Sequence, residues 1–171
     1  MDRIWAPWRG EYIESLSSNN SGDSKGKGES PCIFCREFSE DSSQHNPDGL
    51  VLYVDHKAVI TMNKFPYNSG HVLIAPSVHT GDLATLSEDI SHHISALITK
   101  TVEALKDAYS PDGFNIGMNL GRIAGAGIPD HLHYHIVPRW SGDNNFMPAI
   151  GETKVMPEHI LKTVEKLKPY F

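Results

Sequence analysis

Residues 130–140 read DHLHYHIVPRW. His131, His133 and His135 occupy every second position, and Leu132, Tyr134 and Ile136 fill the places between them. A helical period cannot produce that rhythm. Extended backbone does, because successive side chains of a strand point to opposite faces. The spacing predicts a strand with three imidazoles on one face and three apolar residues turned toward a core or a helix layer. With ten histidines in 171 residues, chance yields roughly 0.03 such patterns per chain, so the arrangement calls for a physical reason. Three are open at this point. The rings line a solvated sheet face, they grip a metal ion, or one ring attacks a substrate while its neighbours handle protons and charge.

The rest of the chain supplies the sheet that such a strand needs. LVLYVD and AVITMN are short β-branched and apolar runs joined by His56 and Lys57, which reads as a hairpin. NKFPYNSG is a loop and HVLIAP a third, buried strand. Thr85 and Glu88 fit a capping box that opens the longest helix, whose stripe runs Ile90, Ile94, Leu97, Ile98, Thr101, Leu105, Ala108. SPDG ends it, FNIGMNL is a fourth strand, GRIAGAGIPD a glycine-rich loop, and the histidine stretch the fifth strand. Pro157 to Leu167 reads as a C-terminal helix with Pro in its first turn. His92 and His93, on the long helix, read as solvated surface residues. Strands in succession around one long helix predict an α+β fold with an antiparallel sheet of about five strands, rather than a βαβ array.

One core suits a chain of 171 residues, and residues 1–171 are expected to form a single domain. Residues 1–16 concentrate Trp5, Trp8 and Tyr12 and read as an aromatic arm, and residues 17–30 as a mobile polar loop. The formal charge is −6 with no block of Lys and Arg, which argues against a nucleic-acid partner. The apolar runs are too short to span a bilayer and the first residues lack the pattern of a secretory signal, so a cytoplasmic protein without membrane contact is expected.

Two further features bear on chemistry. Gly117, Gly121, Gly125 and Gly127 sit just before the histidine strand, where exposed N–H groups can form an anion-binding nest. Cys32 and Cys35 are the only cysteines, and two intervening residues suit a metal or redox pair better than a structural disulfide. A redox pair should open a helix after a strand; this pair instead follows Pro31 and a polar loop.

HLHYHIV matches the His-φ-His-φ-His-φ-φ signature, with φ apolar, of the histidine triad superfamily. NKFPYNSGHVLIAPSVH, NIGMNLG and HYHIVPRW follow in that superfamily's order and spacing, so the resemblance covers at least residues 50–140. IWAPWRGEYI and DNNFMPAIGETKV resemble its branch of bacterial diadenosine tetraphosphate phosphorylases. The resemblance implies nucleotidyl transfer through a covalent nucleotidyl-histidine, with His133 as nucleophile, His135 at a phosphoryl or leaving oxygen, and His71 as the supporting fourth histidine. It places Asn119 at phosphate, Asn63 at the ribose, and backbone N–H groups of Gly125, Ala126, Gly127 and Ile128 on the equatorial oxygens. Arg122, Arg139 and Lys154 read as solvated surface cations able to reach outer phosphates.

The resemblance also implies one structural zinc per chain, held by Cys32, Cys35, His79 and His131, and a homodimer. The alternative is two reduced cysteines with no metal. The hydrolase branches carry Gln and then Ser or Thr where this chain has Gly127 and Ile128, which favours phosphorolysis of diadenosine tetraphosphate to ADP and ATP over hydrolysis. The rival readings are a hydrolase releasing AMP from dinucleotides or adenosine phosphoramidates, a purine nucleotide sensor with little turnover, and an oxygenase-type metal site, against which the missing carboxylate counts.

Overall fold

The structure is a computed structural model that describes residues 32–38, 46–145, 147–151 and 155–171. The aromatic arm, the polar loop over 17–30 and Lys154 lie outside the described residues.

Strands β1 (Val51–Val54) and β2 (Ala58–Met62) form the expected hairpin. Asp55 makes its turn, with Oδ1 accepting the N–H groups of Lys57 and Ala58 at 2.8 Å each. Strand β3 (Val72–Pro76) follows, then helix α2 (Glu88–Tyr109, after a four-residue helix α1, Ile33–Arg36), then β4 (Gly113–Gly117) and β5 (Tyr134–Arg139). The sheet order is β1-β2-β3-β5-β4 and every neighbouring pair is antiparallel. The last α-helices are α3 (Met147–Ile150) and α4 (Ile160–Leu167), and a 3-10 turn, Lys168–Tyr170, follows them.

Every residue of β2 and β3 is buried, which is why these strands read as continuous apolar runs. The side chains divide by parity. Ile60, Val72, Ile74 and Ile136 face α2, where Ile94, Leu97 and Leu105 meet them. Val59, Leu73 and Ala75 face the opposite side, beneath Cys32 and Phe34. His135 pairs with Leu73 in register and falls on that second side. The sheet therefore has one face covered by the long helix and another left for chemistry.

Four boundaries differ from the sequence reading, and the first is that β4 ends at Gly117, three residues short of Leu120. The cap of α2 is Ser87, whose Oγ accepts the Ile90 N–H at 3.3 Å; Thr85 instead closes a single 3-10 turn by donating its hydroxyl to the Asp82 carbonyl at 2.7 Å. Helix α4 starts three residues after Pro157, with the His159 ring accepting the Leu161 N–H. Strand β5 begins only at Tyr134. His131 and Leu132 precede it because their N–H groups go to loop carbonyls, those of Ile128 (3.4 Å) and Thr80 (2.7 Å), and not to a neighbouring strand. His93 also departs from expectation: it is half-buried, with Nε2 2.7 Å from Asp55 Oδ2, while His92 is exposed. No helix among the described residues is long and apolar enough to cross a membrane.

Candidate active site and metal centre

His71, at the foot of β3, begins a chain of contacts that assigns protons. Its Nδ1 accepts the Tyr67 backbone N–H at 3.0 Å. The Asn63 amide nitrogen is also 3.3 Å away. A backbone N–H can only donate, so Nδ1 is bare and the proton sits on Nε2. That Nε2 is 2.9 Å from His135 Nδ1, which must accept, and His135 therefore carries its proton on Nε2.

His133 is set the other way. Its Nδ1 lies 2.9 Å from the His131 carbonyl oxygen, which can only accept, so Nδ1 holds the proton and Nε2 keeps its lone pair. The centroids of the His133 and His135 rings are 5.0 Å apart. His133 is buried and desolvation lowers its pKa, opposed by the bond to the His131 carbonyl. A buried imidazole held neutral, lone pair intact, is a competent nucleophile near neutral pH.

His131 belongs to a different cluster. Its Nε2–H donates to the Pro76 carbonyl at 2.8 Å, leaving Nδ1 bare. That Nδ1 is 3.3 Å from Cys32 Sγ, 3.5 Å from Cys35 Sγ and 3.2 Å from His79 Nδ1. Cys35 Sγ is 3.1 Å from His79 Nδ1. One ligand atom from each of these four residues falls within 4.8 Å of all the others. A tetrahedral ion with bonds of about 2.0–2.3 Å has ligand edges of about 3.3–3.8 Å, close to what is seen. The bare His131 nitrogen and two thiols are the donor set such an ion takes, so the cluster could hold a metal. Burial, first, then the neighbouring rings of His79 and His133 lower the His131 pKa, against the bond to Pro76.

The glycine-rich loop is more self-contained than expected. The N–H groups of Gly125 and Ala126 donate to the Arg122 and Gly121 carbonyls at 3.0 and 3.2 Å, so they are committed within the loop and not to an incoming anion. Gly125 takes φ +90°, which a side chain would resist. The N–H groups of Gly127 and Ile128 make no backbone bond among the described residues, and Ile128 packs beside Phe34 and Leu73. Asn119 braces the loop by donating to the Gly125 carbonyl at 3.2 Å. Asn63 contacts His71 and accepts the Phe65 N–H. Arg122 is exposed, whereas Arg139 is clamped, its Nε and Nη2 on Asp143 and its Nη1 on Asn115.

Three contributors escaped the sequence reading. Phe34, between the two cysteines, is buried with its ring 5.1 Å from His131 and 5.2 Å from His133. Tyr67 stacks on His135 at 5.6 Å and 13°. A Cβ on Gly81 would lie 2.4 Å from the Pro129 carbonyl oxygen, so only glycine lets the loop bearing His79 close onto the segment entering the histidines. An aromatic between two candidate metal ligands and a glycine two residues after a third were the available signals.

The HIT domain family model matches residues 44–142. The chain is 32% identical over 163 residues to a Mycobacterium tuberculosis protein described as AP-4-A phosphorylase, covering 95% of this chain and 80% of that one. It is 28% identical over 136 residues to an adenosine 5′-monophosphoramidase of Schizosaccharomyces pombe, covering 80% of this chain and 95% of that one. Among solved structures, a hypothetical histidine triad nucleotide-binding protein of Sulfolobus tokodaii superposes with a TM-score of 0.62 at 26% identity, over 81% of this chain and 91% of that one.

Proposed function

The chain belongs to the histidine triad (HIT) family, and from that membership we propose that it is an enzyme that cleaves dinucleoside polyphosphates through a covalent nucleotidyl-histidine. The observation that carries the reading is the pair of opposite tautomers at His133 and His135. His133 Nε2 attacks the α-phosphorus and forms a P–N bond as the P–O bond to the leaving nucleotide breaks. His135 Nε2–H lies on the same face to hydrogen-bond the departing oxygen. An acceptor then takes the nucleotide from His133 and restores the ring. Each displacement has a good leaving group, so one hard step becomes two easier ones.

With diadenosine tetraphosphate as substrate, ATP leaves first and AMP stays on His133; inorganic phosphate as acceptor releases ADP. Similarity to the mycobacterial phosphorylase favours phosphate, and similarity to the monophosphoramidase keeps water, with AMP released, as the second reading. His71 orients His135, Asn119 holds the glycine loop, Asn63 serves the ribose side, and the N–H groups of Gly127 and Ile128 meet the equatorial oxygens. A product assay on diadenosine tetraphosphate, with and without phosphate, separates the readings. ADP that depends on phosphate supports phosphorolysis, AMP in its absence supports hydrolysis, and reversible binding with neither product leaves only a sensor.

The proposal includes one structural zinc per chain at Cys32, Cys35, His79 and His131, in a cytoplasm that keeps both thiols reduced. Metal content far below one zinc per chain in fully active protein would remove it. It also includes a homodimer through the β4 end of the sheet, where Ile116, Leu120 and Ile123 expose apolar side chains. Sedimentation of the wild type and of Ile123→Asp tests that surface; a monomeric wild type excludes it.

A further inference from the structure

The candidate metal cluster and the candidate nucleophile are connected by two short physical routes. The first is the backbone of His131. Its ring presents Nδ1 to the two thiols and His79, and its own carbonyl accepts the His133 Nδ1–H at 2.9 Å. Pinning the ring therefore pins the oxygen that sets the nucleophile's tautomer. The second route is the chain between the cysteines. Cys32 precedes the four-residue α1 without any side-chain cap, and Cys35 lies within it. So short a helix has no stability of its own. Between the two thiols Phe34, 1% exposed, presses its ring against both His131 and His133, tilted 52° and 37° to them. The same cluster of side chains includes Val59, Leu73 and Ala75 of the sheet, so Phe34 wedges the imidazoles from the side opposite α2.

We infer that Phe34 is a positioning residue for His133, set in place by the metal loop that carries it, so that metal loading controls the orientation of the attacking ring and not only the stability of the fold. This rests on the nucleotidyl-histidine reading for its consequence in turnover, but not for the packing it describes. Cys32, Cys35, His79 and His131 would hold the metal, which would give these four side chains a common fixed point. Phe34 and the His131 carbonyl transmit that fixed point to His133. Removing the ring of Phe34 opens space beside His133 while leaving all four ligand residues in place. Stripping a bound metal would free α1 and the His131 ring together.

The test reads the ring itself. In full-length protein labelled with nitrogen-15 in its histidines, the Nδ1–H cross-peak of His133 is identified by its loss in His133→Asn. It is then followed in zinc-loaded wild type, in wild type treated with chelator, and in zinc-loaded Phe34→Ala. The expected result is a sharp cross-peak only in the loaded wild type. In Phe34→Ala with unchanged zinc content, adduct formation in a single turnover should slow about 10- to 100-fold with KM nearly unchanged, the effect of a misplaced reacting group. An unaltered cross-peak and rate in Phe34→Ala overturn the inference. Should that variant not fold, an unaltered cross-peak in chelated wild type overturns it equally. Failure to find any nucleotide on His133 in the wild type would defeat the functional reading instead, and the cross-peak would still decide this one.

Discussion

His133 and His135 stand with ring centroids 5.0 Å apart and opposite protonation, a bare Nε2 on the first and an Nε2–H on the second. The difference comes from what each Nδ1 meets: a carbonyl oxygen for His133, and the protonated Nε2 of His71 for His135. Two identical side chains thus become a lone pair and a donor without any difference in charge. His133→Asn keeps a polar group of similar reach but has no nucleophilic nitrogen. Cleavage of diadenosine tetraphosphate should fall by about a thousandfold or more, and acid-quenched protein should carry no nucleotide. Assay and mass spectrometry of the quenched protein check both.

His71→Phe removes the donor that holds His135 in its tautomer. His135 can then present either nitrogen, and under the proposed mechanism the leaving oxygen would lose a fixed partner. Turnover should drop about 10- to 100-fold, less than for His133→Asn, since general acid assistance is worth about 10²–10⁴ when wholly lost. Substrates with better leaving groups should suffer less. A loss equal for good and poor leaving groups would contradict this role for His135.

Gly81→Ala places a methyl group 2.4 Å from the Pro129 carbonyl oxygen. Backbone must move, and the Leu132 N–H bond to the Thr80 carbonyl at 2.7 Å must strain with it. The expected cost is about 1–3 kcal/mol of stability, and, because His79 is two residues away, weaker affinity for the zinc proposed at that cluster. Thermal melting and competition with a zinc indicator measure the two effects.

Asp55 ties the β1–β2 turn to α2. Burial alone would raise its pKa. Hydrogen bonds from the Lys57 and Ala58 N–H groups and the Tyr53 hydroxyl, with the charge of His93, outweigh it and hold it down to about 2. The folded value lies below the ordinary 3.8, so the unfolded chain takes up the proton first as pH falls. The stabilisation is complete above about pH 4 and is lost on the way down to about 2. Urea unfolding of wild type and Asp55→Asn across pH 2 to 7 should show a gap of about 1 kcal/mol at neutral pH that closes through this acid window. A gap independent of pH would mean that the carboxylate's charge does not matter.

Much of this molecule was legible in the order of its residues. The alternation from Leu132 to Ile136 put histidines and apolar side chains on opposite faces, and His135 and Ile136 do lie on opposite faces. The stripe from Ile94 to Leu105 marked the buried side of α2. Both patterns are local, since backbone periodicity alone decides which neighbours share a side. The grouping of Cys32, Cys35, His79 and His131, whose ligand atoms the fold does bring together, was suggested only by likeness to a family, because nothing in a spacing of nearly one hundred residues could pair Cys32 with His131.

Tertiary structure decided the rest. Where β5 starts depends on carbonyls offered by Ile128 and Thr80. The proton on His131 is set by Pro76, 55 residues away in sequence, and that on His135 by His71, 64 residues away. Phe34 looks like one more apolar residue until the chain folds it against two imidazoles, and the glycine loop looks like an open nest until its first N–H groups turn inward. A sequence by itself states which groups exist and which side of a strand they take. Their tautomers, partners and close approaches arise only when distant backbone is brought within hydrogen-bonding and van der Waals reach.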